Sequence, residues 1–360
     1  MPSEGSDGEP PTCARSRPIR TTSSRKRSRS EGAALNLELL KSSARTAEKI
    51  VVFSGSGLSA TSGMSTFSTP GGLYARAKAK YQLASGKLLF TWPFYSKRKA
   101  EAEAFFVEIH REALRARPVK GHEVVAALRR SGRLARHYTL NVDGLATLVP
   151  GMENDVWEPE SNPSGRTVEM HGSVHDLVCT ECGETRRIHD EDVSSLSAER
   201  SVPCTSASCR DQTAQDGMDR FLRFKVMMYD DGEGEFITPD EVMDLMEDDV
   251  KEADLVVWVG ISFEQSASTS YFRNVRRWLQ EEGRHHAVPQ FVVNPSDDAL
   301  WNVLTASSNQ EELNVMEIIG TADDILPLLL SGGRVQATTK DDEKGGGEEG
   351  EDAATTRSGN

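Results

Sequence analysis

Short apolar runs recur along the chain, separated by longer stretches in which apolar residues fall three and four positions apart. Runs rich in Val, Ile, Phe and Trp are typical of strands that are buried on both faces. Apolar residues three and four apart mark one face of a helix. Strands that alternate with helices in this way favour an open, mostly parallel α/β sheet.

The pattern predicts strands near residues 51–53, 136–140, 167–170, 254–260, 290–295 and 315–320. It predicts helices over 35–47, most of 73–116, 121–130, 238–251, 268–282 and 322–330, with a turn at Pro70-Gly71-Gly72. The long helical stretch and a cysteine-rich stretch interrupt the alternation. The fold class is therefore α/β: an open, Rossmann-like sheet with a helical insertion and a small inserted cysteine module.

Small and amide residues follow four of the predicted strands. Ligands of open parallel sheets bind beyond the carboxyl ends of the strands, so these residues predict one shared ligand site. The sets are Gly55–Ser59, Asn141 with Asp143, Gly260 with Ser262, and Asn294.

The first of these loops, Gly55-x-Gly57-x-x-Ala60, also fits a loose dinucleotide-phosphate fingerprint. Glycine turns of this kind are common, so the loop alone is a weak signal. The acidic ribose partner expected about 20 positions later is missing, because residues 78–82 read Lys-Ala-Lys-Tyr-Gln. A dinucleotide would therefore bind differently here than in ordinary dehydrogenases.

The chain has 360 residues and a net charge of −14. Its composition adds information mainly at the two ends. Residues 1–34 and 332–360 are nearly free of apolar residues, so we expect a disordered basic arm and a disordered acidic tail around a domain at 35–331. Arg25–Arg29 is either a solvated cluster, a nuclear-import signal or a nucleic-acid contact. Neither a signal-peptide core nor a run of about 18 apolar residues is evident, so no membrane span is expected.

Five cysteines are present, four of them in two close pairs. Cys179-x-x-Cys182 and Cys204-x4-Cys209 are about twenty residues apart. Without a secretory signal, paired cysteines favour metal binding over disulfides. Four thiolates would hold one tetrahedral, structural zinc ion in a module at about 173–225. Cys13 has no such partner.

Five segments, in order, resemble the motifs of the sirtuin family, the Sir2-type NAD-dependent protein deacylases. They are Gly55–Met64, Thr139–Asp143, Glu169–Ser173, Gly260–Ser262 and Val293–Asn294. The cysteine module lies where the family places it. The resemblance covers about residues 46–330, and it implies Rossmann-like parts at about 46–170 and 250–330.

The resemblance implies an NAD-dependent deacylase that transfers an acyl group from lysine to ADP-ribose and releases nicotinamide. His171 matches the general base, Asn141 the amide that orders the ribose and water, and Asp143 the carboxylate that accepts the nicotinamide carboxamide. The implied cofactor contacts are Gly55, Ser56, Gly57, Ser59, Phe67, Asn141, Asp143, Gly260, Ser262, Asn294, Thr321 and Ala322.

The chain departs from the family pattern at several positions. Ser65-Thr66-Phe67-Ser68 stands where the family has Pro-Asp-Phe-Arg, so a cation suited to the diphosphate is lost. Leu140 replaces a glutamine, which we expect to leave polar neighbours unpaired. The segment 224–231, which implies pairing with an extended substrate peptide, has Asp230 in place of a glycine.

Three functions stay open: a working deacylase, an NAD-binding sensor or scaffold with weak activity, and a protein ADP-ribosyltransferase. The implied partner is an acylated lysine peptide or protein. Asp230, Asp231, Glu233 and Glu235 near the predicted groove favour basic tails such as histones, or form an ordinary solvated loop. Arg25–Arg29 gives a nuclear or nucleocytoplasmic location as an expectation. No specific nucleic acid and no oligomeric state is indicated.

Overall fold

The computed structural model describes residues 22–153, 166–218, 220–232, 234–238, 241–305 and 314–331, with side chains from residue 32 onwards except at 214. The sheets contain ten strands in this described part: β1 Ile50–Ser54, β2 Leu134–Thr139, β3 Thr167–Glu169, β4 Gly172–Cys179, β5 Thr185–Arg187, β6 Val202–Pro203, β7 Phe221–Val226, β8 Leu255–Val259, β9 Gln290–Asn294 and β10 Val315–Ile319.

The helices are α1 Thr22–Thr46, α2 Leu73–Tyr81, α3 Trp92–Lys97, α4 Lys99–Arg115, α5 Lys120–Arg130, α6 Asp190–Ser197, α7 Ala207–Asp216, α8 Glu241–Glu252, α9 Ser266–Glu281, α10 Asp298–Thr305 and α11 Ala322–Ile325. Each of the predicted helical stretches overlaps at least one of them. No helix in the described ranges is both long and apolar enough to cross a membrane.

Six strands form a parallel sheet in the order β10-β9-β8-β1-β2-β3. This is the Rossmann order, and it reverses between β1 and β8, where open sheets bind their ligands. All five residues of β1 and of β8 are buried. Alternate residues of β1 face opposite cores: Ile50 and Val52 face α1, α5 and α11, whereas Val51 and Phe53 face α8 and α9. The predicted fold class is confirmed.

A second sheet, β5-β4-β7-β6, is antiparallel and spans Gly172–Val226 together with α6 and α7. Its apolar side shares one core with α2, α3 and α4. Phe106 of α4 packs against Phe224 of β7, with ring centroids 5.7 Å apart. The helical insertion and the cysteine module are therefore packed together beside the parallel sheet.

Three local predictions need correction. α1 begins at Thr22 and so includes residues 22–34, which were expected to be disordered; extending an existing helix costs little once a first turn has formed. The stretch 322–330 changes to a 3₁₀ helix at Leu326, because Pro327 has no N–H for an α-helical bond. α10 was not predicted, since its buried stripe is only Ala299 and Val303. Residues 1–21 and 332–360 lie outside the described residues.

Candidate functional site

A cleft of about 480 Å³ opens at the carboxyl ends of β1, β2, β8 and β9. It collects residues from every strand-exit loop that the sequence singled out. Those lining it are Gly55, Ser56, Gly57, Phe67, Asn141, His171, Gly260, Ser262, Asn294, Thr321 and Ala322. Ser59 and Asp143, which were predicted beside them, are not among the lining residues.

Glycines allow the loops after β1 and β8 to touch. A Cβ atom on Gly57 would lie 2.5 Å from Gly260 Cα, and one on Gly55 would lie 2.8 Å from the Gly260 carbonyl oxygen. Gly260 itself has φ +65°, which a residue with a side chain rarely adopts. Gly57 N–H donates to Gly260 O over 3.0 Å. The contact brings the main chain of both loops to this part of the cleft.

His171 follows β3 and lies half-buried in the cleft wall, with its ring 6.2 Å from that of Tyr271. Burial lowers the pKa of His171 to about 4, although a hydrogen bond with the Leu140 main chain opposes this shift. The imidazole is therefore neutral at pH 7. One ring nitrogen takes part in the hydrogen bond with Leu140, and the other can accept a proton.

Asn141 is held in place from behind the cleft. Its Nδ2 donates to Ser59 Oγ over 3.2 Å. His122 Nδ1 accepts from the Val119 N–H, so His122 Nε2 carries the proton and faces Ser59 Oγ at 3.4 Å. Burial lowers the pKa of His122 to about 4. Ser59 is 1% exposed, so its hydroxyl lies behind the cleft surface and supports Asn141. The predicted contact of Ser59 with a cofactor stays a prediction.

Asp143 is 6% exposed and lies beneath the cleft wall. Its carboxylate accepts the Leu145 N–H over 3.0 Å. Burial raises the pKa of Asp143, while the bonds from Leu145 and Ser59 lower it. The Asp143 carboxylate therefore lies behind the cleft surface, and its contact with a carboxamide stays a prediction.

Residues outside the predicted motifs anchor the segment 65–68, where the chain departs from the family pattern. Arg76 on α2 donates to Ser65 Oγ over 3.1 Å and to Glu112 of α4 over 2.7 Å, and Glu112 also accepts the Ser65 N–H. Phe67 packs edge-on against Phe90, with centroids 5.5 Å apart, and Tyr74 joins the same cluster. The three aromatics line the cleft. These aromatic residues are close together in the sequence, within 67–90, and this proximity is the signal that could have predicted the cluster.

The described lining of the cleft contains no Lys or Arg, but it contains Glu264, Asp298 and Asp323. Asp323 is already engaged by the Thr61 hydroxyl and the Gly121 N–H, each at 2.6 Å. Loss of the family arginine at Ser68 is thus not compensated by another lining cation. Any anionic group bound here must rely on hydroxyls and main-chain N–H groups.

Leu140 does not leave its neighbours unpaired, contrary to expectation. It packs half-buried against the apolar side of the β8–α9 layer and lines the cleft. The polar side chains behind it pair with one another: Ser54 Oγ lies 2.7 Å from His137 Nε2 and 3.0 Å from Thr139 Oγ1. Within the described residues, no unpaired buried side-chain atom occurs on Ser54, His137 or Thr139.

The predicted peptide segment runs from β7 along the cleft, where Met227 and Tyr229 form part of the wall. The main chain of Tyr229 is already hydrogen-bonded on one side. Its N–H donates to Phe90 O, and its carbonyl accepts from the Trp92 N–H. Asp230 has φ +56°, so the chain keeps the conformation that the family glycine would favour, which aspartate tolerates better than most residues.

Asp231 is not a surface charge. It forms a two-pronged ion pair with Arg223, at 2.7 and 3.1 Å, and the two side chains are 1% and 3% exposed. Arg223 also lies over the rings of Trp92 and Tyr95, at 5.2 and 5.5 Å. Asp231 is therefore unavailable to a basic peptide. Asp230 and Glu235 are exposed, and Glu233 lies outside the described residues.

The four paired cysteines converge at one end of the antiparallel sheet. All four sulfur atoms lie within 4.8 Å of one another. Cys179 and Cys209 are 3.7 Å apart and Cys182 and Cys204 are 3.8 Å apart, distances too long for disulfides. Four clustered thiols fit one tetrahedral zinc ion. None of the four cysteines lines the cleft, which fits a structural role.

An open parallel sheet with a ligand cleft at its switch point and a four-cysteine module defines an α/β protein of the nucleotide-binding class. The Sir2 family model matches residues 55–266. The chain belongs to the Sir2 family.

Individual comparisons agree with this assignment. The chain is 34% identical over 149 residues to NAD-dependent protein deacetylase hst4 of Emericella nidulans, covering 41% of this chain and 25% of that protein. It is 32% identical over 138 residues to NAD-dependent histone deacetylase HST4 of Saccharomyces cerevisiae, covering 38% and 36%. The chain thus spans well under two thirds of these relatives. A solved Sir2 homologue–NAD complex shares the fold, with a TM-score of 0.56 and 19% identity over 81% of this chain and 92% of the other.

Proposed function

We propose that this chain is an NAD-dependent protein-lysine deacylase. The observation that carries the proposal is the meeting of His171 and Asn141 with the Gly55–Gly57 and Gly260 loops in one cleft. A proton acceptor, an amide and a main-chain phosphate cradle are the parts that such a reaction needs. The names of the relatives support the same activity.

The cleft fits NAD in its chemistry. Gly55, Gly57, Ser262 and Asn294 would hold its diphosphate and adenosine side, and Phe67 would cover its nicotinamide side. NAD, when bound, supplies an electrophilic ribose carbon and nicotinamide as a leaving group. The cysteine cluster would hold zinc as a structural ion.

His171 provides the base in this proposal. It is neutral at pH 7 and faces the cleft, so its open ring nitrogen takes a proton from a ribose hydroxyl. Asn141, braced by Ser59, orients the ribose and a water molecule. Aromatic Phe67, Tyr74 and Phe90 exclude bulk water from the same end of the cleft. The substrate would enter along Met227–Tyr229 as an extended acyl-lysine peptide.

Basic protein tails, including histone tails, are the substrates we propose. Exposed Asp230 and Glu235 flank the entrance segment, and one relative is named a histone deacetylase. The Arg25–Arg29 cluster supports a nuclear location. A fluorescent protein fused to residues 1–34 should enter nuclei, whereas the fusion with Arg25, Lys26, Arg27 and Arg29 changed to Ala should not.

Nicotinamide release from NAD by the purified chain, with and without an acetyl-lysine peptide, tests the proposed reaction. We expect peptide-dependent release that falls by at least about 10²-fold in His171→Ala, the usual scale for loss of an acid–base group. His286→Ala, which changes an exposed histidine, is the control. NAD binding without release would refute the enzyme and support a sensor, and release without peptide would indicate ADP-ribosyl transfer or hydrolysis.

A further inference from the structure

Two buried histidines meet behind the loop that carries Asn141 and Asp143. His110 comes from α4 and His175 from β4, and each is 5% exposed. Their rings cross at 67° with centroids 4.9 Å apart, and their Nδ1 atoms are 3.0 Å apart. The pair therefore joins the helical insertion and the cysteine module behind this loop.

The bonds of the pair fix which nitrogens carry protons. A carbonyl only accepts, so His175 Nε2 donates to Asp143 O over 2.9 Å and His110 Nδ1 donates to Val174 O over 3.0 Å. His175 Nδ1 is then the acceptor that faces His110. Burial lowers the pKa of His175 to about 4 and also lowers that of His110. Both imidazole rings are therefore neutral at pH 7.

Two successive residues at the start of β4 hydrogen-bond to the loop that carries Asn141 and Asp143. Val174 N–H donates to Val142 O over 2.9 Å, and the neighbouring His175 ring holds the carbonyl of Asp143. Gly144 has φ +67°, and a Cβ atom there would lie 2.8 Å from His175 Cδ2. The ring is thus packed flush against the loop, and a displaced ring would free both Asp143 and Gly144.

We propose that His175 is a positioning residue that fixes the main chain at Asp143 and, through the same loop, the side chain of Asn141 in the cleft wall. The proposal rests on the proposed function, because Asn141 has a ribose to orient only if the cleft binds NAD. Since β4 also carries Cys179, the same strand ties the cysteine cluster to this loop.

Two amide substitutions isolate the bond to Asp143. Asparagine at 175 offers an oxygen near the Nδ1 position, facing His110, but is too short to reach Asp143 O. Glutamine extends an N–H to about the Nε2 position and can keep that bond. We expect the KM for NAD and the nicotinamide inhibition constant to rise about tenfold in His175→Asn, as expected for the loss of about 1.4 kcal/mol. His175→Gln should restore both to within about threefold, and the KM for peptide should stay unchanged in both variants.

Amide hydrogen exchange tests positioning without any activity. Leu145 N–H donates to the Asp143 carboxylate, so its protection reports how well residue 143 is held. Exchange at Leu145 should quicken about tenfold in His175→Asn and not in His175→Gln or in the control His286→Gln. Equal exchange in the Asn and Gln variants would overturn the proposal, as would an unchanged KM for NAD in an active His175→Asn enzyme. Faster exchange in His175→Asn, in a protein whose wild-type form releases no nicotinamide, would instead leave positioning supported and refute only the reaction.

Discussion

Replacement of Asp231 by alanine tests whether the entrance segment is held by a buried ion pair. Arg223 and Asp231 are nearly inaccessible to water and share two short bonds, and Asp231 also accepts the Met228 N–H over 3.1 Å. Asp231→Ala would leave a buried guanidinium that has lost this carboxylate and keeps main-chain acceptors such as Val226 O.

The expected cost follows from these contacts. Breaking a buried pair on one side costs about 3–5 kcal/mol. Arg223 keeps its bond to Val226 O and its stacking on Trp92, which favours the lower end of that range, but the lost Met228 bond adds about 1 kcal/mol. With a urea m-value of about 3 kcal/mol/M, the unfolding midpoint should fall by about 1–1.5 M.

Urea denaturation followed by fluorescence measures this loss directly. Asp230→Asn is the matched control: it removes the adjacent charge, is exposed, and tolerates φ +56°, so its stability should change by about 0.5 kcal/mol or less. The double variant Arg223→Met/Asp231→Leu should recover most of the loss, because no charge remains buried. A loss below about 1 kcal/mol in Asp231→Ala, or one equal to the control, would show that the pair does not hold the segment.

Two further predictions concern pH and metal. Burial lowers the pKa of His122 and His175 to about 4 and that of His137 to about 3, so the unfolded chain binds protons first as pH falls. Stability should therefore be full above about pH 6.5 and drop by up to about 3 kcal/mol per histidine by pH 4; a flat urea midpoint between pH 7 and 5 would contradict this. Cys209→Ser should lower zinc content from one ion per chain and lower the unfolding midpoint, whereas Cys13→Ser should do neither; a retained ion in Cys209→Ser by elemental analysis would refute the site.

The sequence was sufficient to predict the parallel sheet and most of the residues that line the cleft. The apolar runs of β1 and β8 are typical of central strands, and glycine or amide residues at their exits then meet at one edge of the sheet. Cysteine spacing likewise specified the cluster, because thiolate pairs on turns have few other uses. These features depend on residues close together in the chain, so local pattern reveals them.

Other features depended on residues that are distant in the chain and adjacent only after folding. Ser59 and Asp143 follow site motifs, but packing behind the loop buries both side chains. Leu140 was expected to leave polar groups unpaired, yet Ser54, His137 and Thr139 satisfy one another across neighbouring strands. The spacing of residues along the chain does not show whether a side chain faces the cleft or the interior behind it.

The charged side chains show the same division most clearly. The sequence by itself determined that Asp231 is acidic, that Arg223 lies eight residues before it, and that a helical insertion precedes a cysteine module. Only the tertiary structure decided that the carboxylate is buried against Arg223 and that His110 and His175 meet under Asp143. The physical reason is that burial and pairing are set by the packing of separate modules, whereas charge, period and spacing are already present along the chain.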